Sequence, residues 1–255
     1  MLGGTWAAPA AADDSQSPFA QMEQRARDGD VGAQADLGTA YALGKGVEKD
    51  YAAARVWLLK AAGKGRADAQ VILGYIYRDG LGIDKDLVEA AKWFESAAQQ
   101  GLASAQTNLA MMYKNGDGVA QNDKEALKWF RKAADQGDVY AQMNIGLMYE
   151  AGQGVPQDYK AAAAWYQKAA ERQHEIAQRK LAYLYETGQG VPQDYVKAYT
   201  WYAIASVWKD SENESMAADD PRLRVGAHLT PDQINDANQA ASEWWNKHYS
   251  TAGGQ

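Results

Sequence analysis

The sequence predicts an all-α fold: a right-handed α/α superhelical solenoid of five 36-residue helix-turn-helix repeats with a capping helix at each end. Three observations predict it. First, identical residues return at a step of 36, as in Gln34, Gln70, Gln106, Gln142 and Gln178, in Tyr41, Tyr77, Tyr113, Tyr149 and Tyr185, and in Trp57, Trp93, Trp129, Trp165 and Trp201. Second, apolar and small residues inside each copy fall at i, i+3, i+4 and i+7, one face of a helix. Third, each copy is broken at the same place by a glycine pair, Gly44/Gly46, Gly80/Gly82, Gly116/Gly118, Gly152/Gly154 and Gly188/Gly190. A fixed period of this length marks stacked supersecondary units that bury their faces on their neighbours.

Residues 1–17 come first, as a leader remnant or a disordered tail. Ala8-Pro9-Ala10 has the small-x-small form of a signal-peptidase site, though no basic or long apolar stretch precedes it. The expectation drawn is a periplasmic or secreted protein, with a cytoplasmic one as the alternative. Residues 18–29 repeat the end of a second helix, since Ala26 and Gly29 lie 36 before Ala62 and Gly65; they form the N-terminal cap.

Residues 30–209 hold the five repeats, at 30–65, 66–101, 102–137, 138–173 and 174–209. The first helix of each carries the Gln34, Leu37, Gly38, Tyr41 pattern, and its glycine suits a left-handed C-cap. The second helix begins at Asp50, Asp86, Asn122, Asp158 or Asp194, all good N-cap residues. Glu89 and Glu125 then complete capping boxes. Ala54, Trp57, Ala61 and Ala62 recur on one face, so the Tyr and Trp columns are expected to fill the gaps between Ala-rich hairpins. This explains nine Trp against three Phe. Residues 210–229 form a linker in which Asp220-Pro221 can start a short helix. Thr230-Pro231-Asp232-Gln233 opens a capping helix over 230–248 with a capping-box Gln, and 249–255 are a tail.

The composition excludes several classes. With 46% hydrophobic residues in 255, the chain can build a core. No apolar run approaches the roughly 18 residues of a membrane span. Zero Cys removes disulfide scaffolds, thiolate metal sites and a cysteine nucleophile. The net charge of −7 opposes nucleic-acid binding. His174, His228 and His248 fall in separate elements, and Asn115-Gly116-Asp117 with Asn122, Asp123 and Glu125 departs from calcium-loop spacing, so neither a metal nor a cofactor is expected. The Gly-x-Gly pairs follow no strand and are hairpin connections rather than phosphate loops. No nucleophile–base arrangement points to an enzyme.

The string Ala-x-x-x-Leu-Gly-x-x-Tyr-x-x-Gly-x-Gly-Val-x-x-Asp-x-x-x-Ala-x-x-Trp-x-x-x-Ala-Ala-x-x-Gly, from Ala33 to Gly65, resembles the Sel-one-like repeat (SLR) family, relatives of tetratricopeptide repeats. Ala110 and Ala182 replace its helix glycine and Asn122 its cap Asp. The resemblance implies a non-enzymatic scaffold that binds a protein or peptide, such as an adaptor or regulator of a bacterial envelope. Immunity to a cognate secreted toxin is an alternative, and a cell-wall-active enzyme a remoter one. Members with β-lactam-related activity carry cysteines that this chain lacks. A structural oligomer seeded by Trp244 and Trp245 is a third class; a monomer is favoured.

By analogy with tetratricopeptide repeats the first helices line a concave groove, and the non-repeating columns on them are the candidate site. Tyr75, Met111, Leu147 and Tyr183 form an apolar stripe, with Val71 and Met143 four residues earlier. Arg78 and Lys114 flank its first half, Glu150 and Glu186 its second. Such a groove suits a peptide with opposite charges at its ends.

Overall fold

The computed structural model describes residues 17–210 and 220–249. Among these the chain is wholly helical, with 13 helices and no strand. Residues 1–16 of the expected leader remnant or disordered tail, residues 211–219 of the expected linker and residues 250–255 of the expected tail lie outside the described residues. Helix α1 (Pro18–Arg27) is the N-terminal cap. The first helices of the repeats are α2 (Val31–Leu43), α4 (Ala67–Asp79), α6 (Ala103–Asn115), α8 (Val139–Ala151) and α10 (Glu175–Thr187). The second helices are α3 (Tyr51–Ala62), α5 (Leu87–Gln99), α7 (Asp123–Asp135), α9 (Tyr159–Glu171) and α11 (Tyr195–Asp210). A short α12 (Pro221–Gly226) and the long α13 (Pro231–Tyr249) follow.

The chain forms two compact units, 1–105 with 117–119, and 106–116 with 120–255. In the first, α1 packs on α2 and each helix from α2 to α5 on the next. In the second, the same chain of neighbours runs from α7 to α11, and α12 and α13 both pack on α11.

The hairpins are held by caps that the repeat supplies each time. Asp50 accepts from the Ala52 and Ala53 amides at 2.8 and 3.0 Å, and Asp86 and Asn122 from Glu89 and Glu125 at 2.9 and 3.1 Å. Each such bond satisfies an orphan donor and contributes roughly 1 kcal/mol. The capping boxes at Glu89 and Glu125 are only half made. Their carboxylates pair with Lys92 and Lys128, because the cap N–H groups already donate to Tyr77 and Tyr113 carbonyls at 2.9 and 2.8 Å. Asp50, Asp158 and Asp194 donate likewise to Tyr41, Tyr149 and Tyr185, so this bond closes every hairpin loop. At Thr230 and Gln233 the reciprocal box is complete.

The interior is filled by a column that the sequence reading did not single out. Leu58, Phe94, Phe130, Tyr166 and Tyr202 are buried, the first four completely, whereas Trp57, Trp93, Trp165 and Trp201 are only half-buried. Gly38, Gly74 and Gly146 make room for this column: a Cβ on them would lie 2.5–2.6 Å from Leu58, Phe94 and Tyr166. The tryptophans instead carry lysines over their faces, Lys60 on Trp57 at 3.9 Å and Lys132 and Lys168 on Trp129 and Trp165 at 4.0 Å. The repeated Gln joins one repeat to the preceding one. Gln34, Gln70, Gln142 and Gln178 donate from Nε2 to the carbonyls of Ala26, Ala62, Ala134 and Ala170 at 3.0–3.5 Å.

At the C-terminal end Trp244 and Trp245 are half-buried in a cluster with Tyr199, Tyr202 and Ile204, and Trp245 Nε1 donates to the Ile204 carbonyl at 3.1 Å. They serve the cap. Gln173 replaces a column glycine yet keeps the left-handed backbone, at φ 67°. Its side chain donates to the His248 carbonyl at 3.3 Å and so fastens the end of α9 to α13.

Candidate partner-binding face

The residues that the repeat leaves free to vary sit on the first helices, and each unit presents its own set. In the first unit Val71 is buried and belongs to the interior. Tyr75 is half-buried, edge-on to Phe94 with ring centroids 5.3 Å apart, and the Arg78 guanidinium lies 4.8 Å above its ring. Arg78 also pairs with Asp79 at 2.7 Å. Its charge is therefore met within the chain.

In the second unit Met143 is buried in a core cluster with Tyr166, Leu181 and Leu184, and Leu147 packs on that cluster half-exposed. Met111 is half-buried as well. Tyr183 is 44% exposed and stands at the surface.

The three charged candidates of this unit reach toward the repeat or cap that follows them. Glu150 accepts from Lys180 Nζ at 2.7 Å and from the Tyr166 hydroxyl. Glu186 accepts from Arg224 Nε and Nη2 at 2.6 and 2.9 Å and from the Tyr202 hydroxyl at 3.0 Å. Arg224 holds the Glu186 carboxyl below the usual carboxylate range, against the opposing pull of burial. Burial, followed by the neighbouring carboxylate, pushes both tyrosine hydroxyls well above their ordinary value. Lys114 differs: its Nζ donates to a neutral acceptor, Asn144 Oδ1, at 3.2 Å. The opposite-charge pattern expected of a bipolar groove is thus largely engaged in pairing within the chain.

Sequence reasoning passed over two residues that the structure exposes strongly. Tyr140 is 67% and Ile176 56% exposed, and they occupy equivalent positions in α8 and α10. They lie seven residues, two turns, before Leu147 and Tyr183, on the same helix face. The signal was present: their column reads Gly32, Asp68, Ser104, Tyr140, Ile176, small or polar until its last two copies. Tyr140 also meets His174, the N-cap of α10, edge-on at 5.5 Å. His174 Nδ1 accepts from the Ala177 amide at 3.3 Å, and burial lowers the His174 pKa. No group of three or more His, Cys, Asp or Glu side chains suited to a metal ion occurs among the described residues. No helix there is long and apolar enough to cross a membrane.

Comparison with known proteins matches this architecture. The family model described as Sel1 repeat matches residues 31–65, 67–102, 103–138, 139–174 and 176–206. A Sel1 repeat protein from Oxalobacter formigenes is 35% identical, with a TM-score of 0.71 over 89% of this chain and 88% of that one. A protective antigen of uropathogenic Escherichia coli strains, which displays an SLR fold, is 31% identical, with a TM-score of 0.58 over 92% of this chain and 57% of that one. No curated protein is matched.

Proposed function

This chain belongs to the Sel1 repeat family, and from that premise we propose that it is a non-enzymatic scaffold that binds a protein or peptide through the exposed faces of its first helices. One observation carries the reading. The repeating residues are mostly spent on caps, joints and core, while large apolar side chains stand exposed at non-repeating positions, Tyr183 foremost among the sequence-derived candidates. Exposed aromatics on a rigid helical frame are typical anchors for a partner. The finer reading is an adaptor of a bacterial envelope. The small-x-small motif Ala8-Pro9-Ala10 supports that location.

Affinity capture from the source organism, with the full chain and its Tyr183→Ala variant as parallel baits, tests the reading. The expected result is a partner retained by the full chain and depleted by the variant, with helicity equal in the two. If both baits retain the same proteins in the same amounts, Tyr183 is no anchor. If neither retains any, the scaffold reading fails.

A further inference from the structure

In the second unit α8 and α10 carry an apolar surface, and Lys114 of α6 brings to α8 a cation whose bonded partner is neutral. Tyr140 and Leu147 on α8 and Ile176 and Tyr183 on α10 hold equivalent positions on successive first helices, which the Lys180–Glu150 pair joins at 2.7 Å. Exposed apolar residues elsewhere, such as Leu43, Val56, Val88 and Leu223, fall in four different helices at non-equivalent positions. Scattered single residues of that kind need no partner.

Charge decides which partner fits. Lys114, Glu150 and Glu186 occupy one column, and each reaches toward the neighbour that follows it. Glu150 meets Lys180 and Glu186 meets Arg224. Lys114 instead donates to the neutral amide oxygen of Asn144 at 3.2 Å. Partial burial makes its ammonium costly, with Asp123 the carboxylate that offsets this in part. A half-desolvated cation bound to a neutral acceptor is complementary to an incoming carboxylate.

Resting on the scaffold reading above, we infer that this face binds an extended peptide segment in which one Asp or Glu engages Lys114 while two apolar side chains cover the Tyr140–Leu147 and Ile176–Tyr183 rows. Packed helices stand roughly 8–10 Å apart, and an extended chain advances about 3.3 Å per residue. One step from α6 to α8, and another from α8 to α10, therefore each take about three residues. The segment has an acidic residue followed by apolar residues near the third and sixth positions after it. The net charge of −7 disfavours a polyanion such as nucleic acid, whereas a single carboxylate needs only the single cation.

Panning a phage-displayed library of random twelve-residue peptides on the full chain tests this. Enriched peptides are expected to share the acid-then-apolar spacing. A synthetic copy should bind roughly tenfold more weakly to Lys114→Met and recover with Lys114→Arg. Ile176→Ser should weaken binding by a similar factor while the urea midpoint stays within error, because Ile176 is exposed. Val88→Ser, exposed on the other unit, should leave binding unchanged. Peptides that lack an acid, or that bind Lys114→Met and Ile176→Ser as tightly as the parent, overturn the proposal. If such peptides lose affinity to Tyr75→Ala instead, the scaffold reading survives and this surface does not. A library that yields no binder overturns the proposal, and the capture experiment then decides the scaffold reading separately.

Discussion

Two glycines in one column isolate what stacking demands of the backbone. Gly46 and Gly190 are equivalent residues of the first and fifth repeats, both at φ 71°. Around Gly46 a Cβ would meet nothing within 4 Å, because no repeat hairpin precedes it. At Gly190 a Cβ would lie 2.5 Å from Lys160 N, and closer still to the Tyr159 carbonyl carbon, where α9 of the preceding repeat begins. Gly46→Ala should therefore cost only the left-handed strain, about 1–2 kcal/mol. Gly190→Ala adds a backbone clash that no rotamer change relieves, about 1–3 kcal/mol more on the scale of overpacked cores. Urea unfolding followed by helical circular dichroism and by tryptophan fluorescence measures both. The midpoint should fall for both variants, and about twice as far for Gly190→Ala. Equal losses would mean that the second glycine of each pair is selected for φ alone, and that the close approach of successive repeats places no demand on it.

Three further outcomes follow from the capping and end contacts. His174 accepts an amide bond as a neutral ring and burial lowers its pKa from 6.5, so the unfolded chain takes the proton first as pH falls. That stability is present above the unfolded value and lost as pH drops through the folded one. His174→Asp, which copies Asp30 and Asp138 at the equivalent caps, should raise stability by roughly 0.5–1 kcal/mol at pH 7 and flatten the fall of the urea midpoint between pH 7.5 and 5; parallel profiles would refute the cap role. Trp245→Phe removes the bond to the Ile204 carbonyl and should cost about 1 kcal/mol in a thermal melt. A double-mutant cycle of Glu186→Gln and Arg224→Ala should give a coupling under about 1 kcal/mol, because the Arg224 side chain is mostly exposed and water screens the pair.

The period exposes whatever every copy uses in the same way, and for that reason it reveals the hairpins, the caps and the small-residue joints. It says less about direction. Steps of three and four put Val71 and Tyr75 on one side of α4, yet one is buried and the other half-buried, since a helix face grades from core to surface within a single turn. The charged column misleads for a related reason. Its partners lie 30 residues on, at Asn144 for Lys114 and at Lys180 for Glu150, just as Gln100 and Gln136 donate to Gln70 and Gln106 at 2.8 Å. A step of 30 is one repeat less six residues, so each pair joins the end of one first helix to the middle of the next, or the end of a second helix to the first-helix glutamine of its own hairpin. Such pairs are invisible in columns read singly and appear only when two columns are read together. Gln173 and the pair Tyr140 and Ile176 escape differently, because each departs from its column in one or two copies. Gln173 departs to reach the C-terminal cap, which occurs once. Tyr140 and Ile176 depart where no contact of the repeat requires bulk, and residues of that kind, large, apolar, exposed and unrepeated, are those that a binding surface would add to a scaffold whose own packing is already complete.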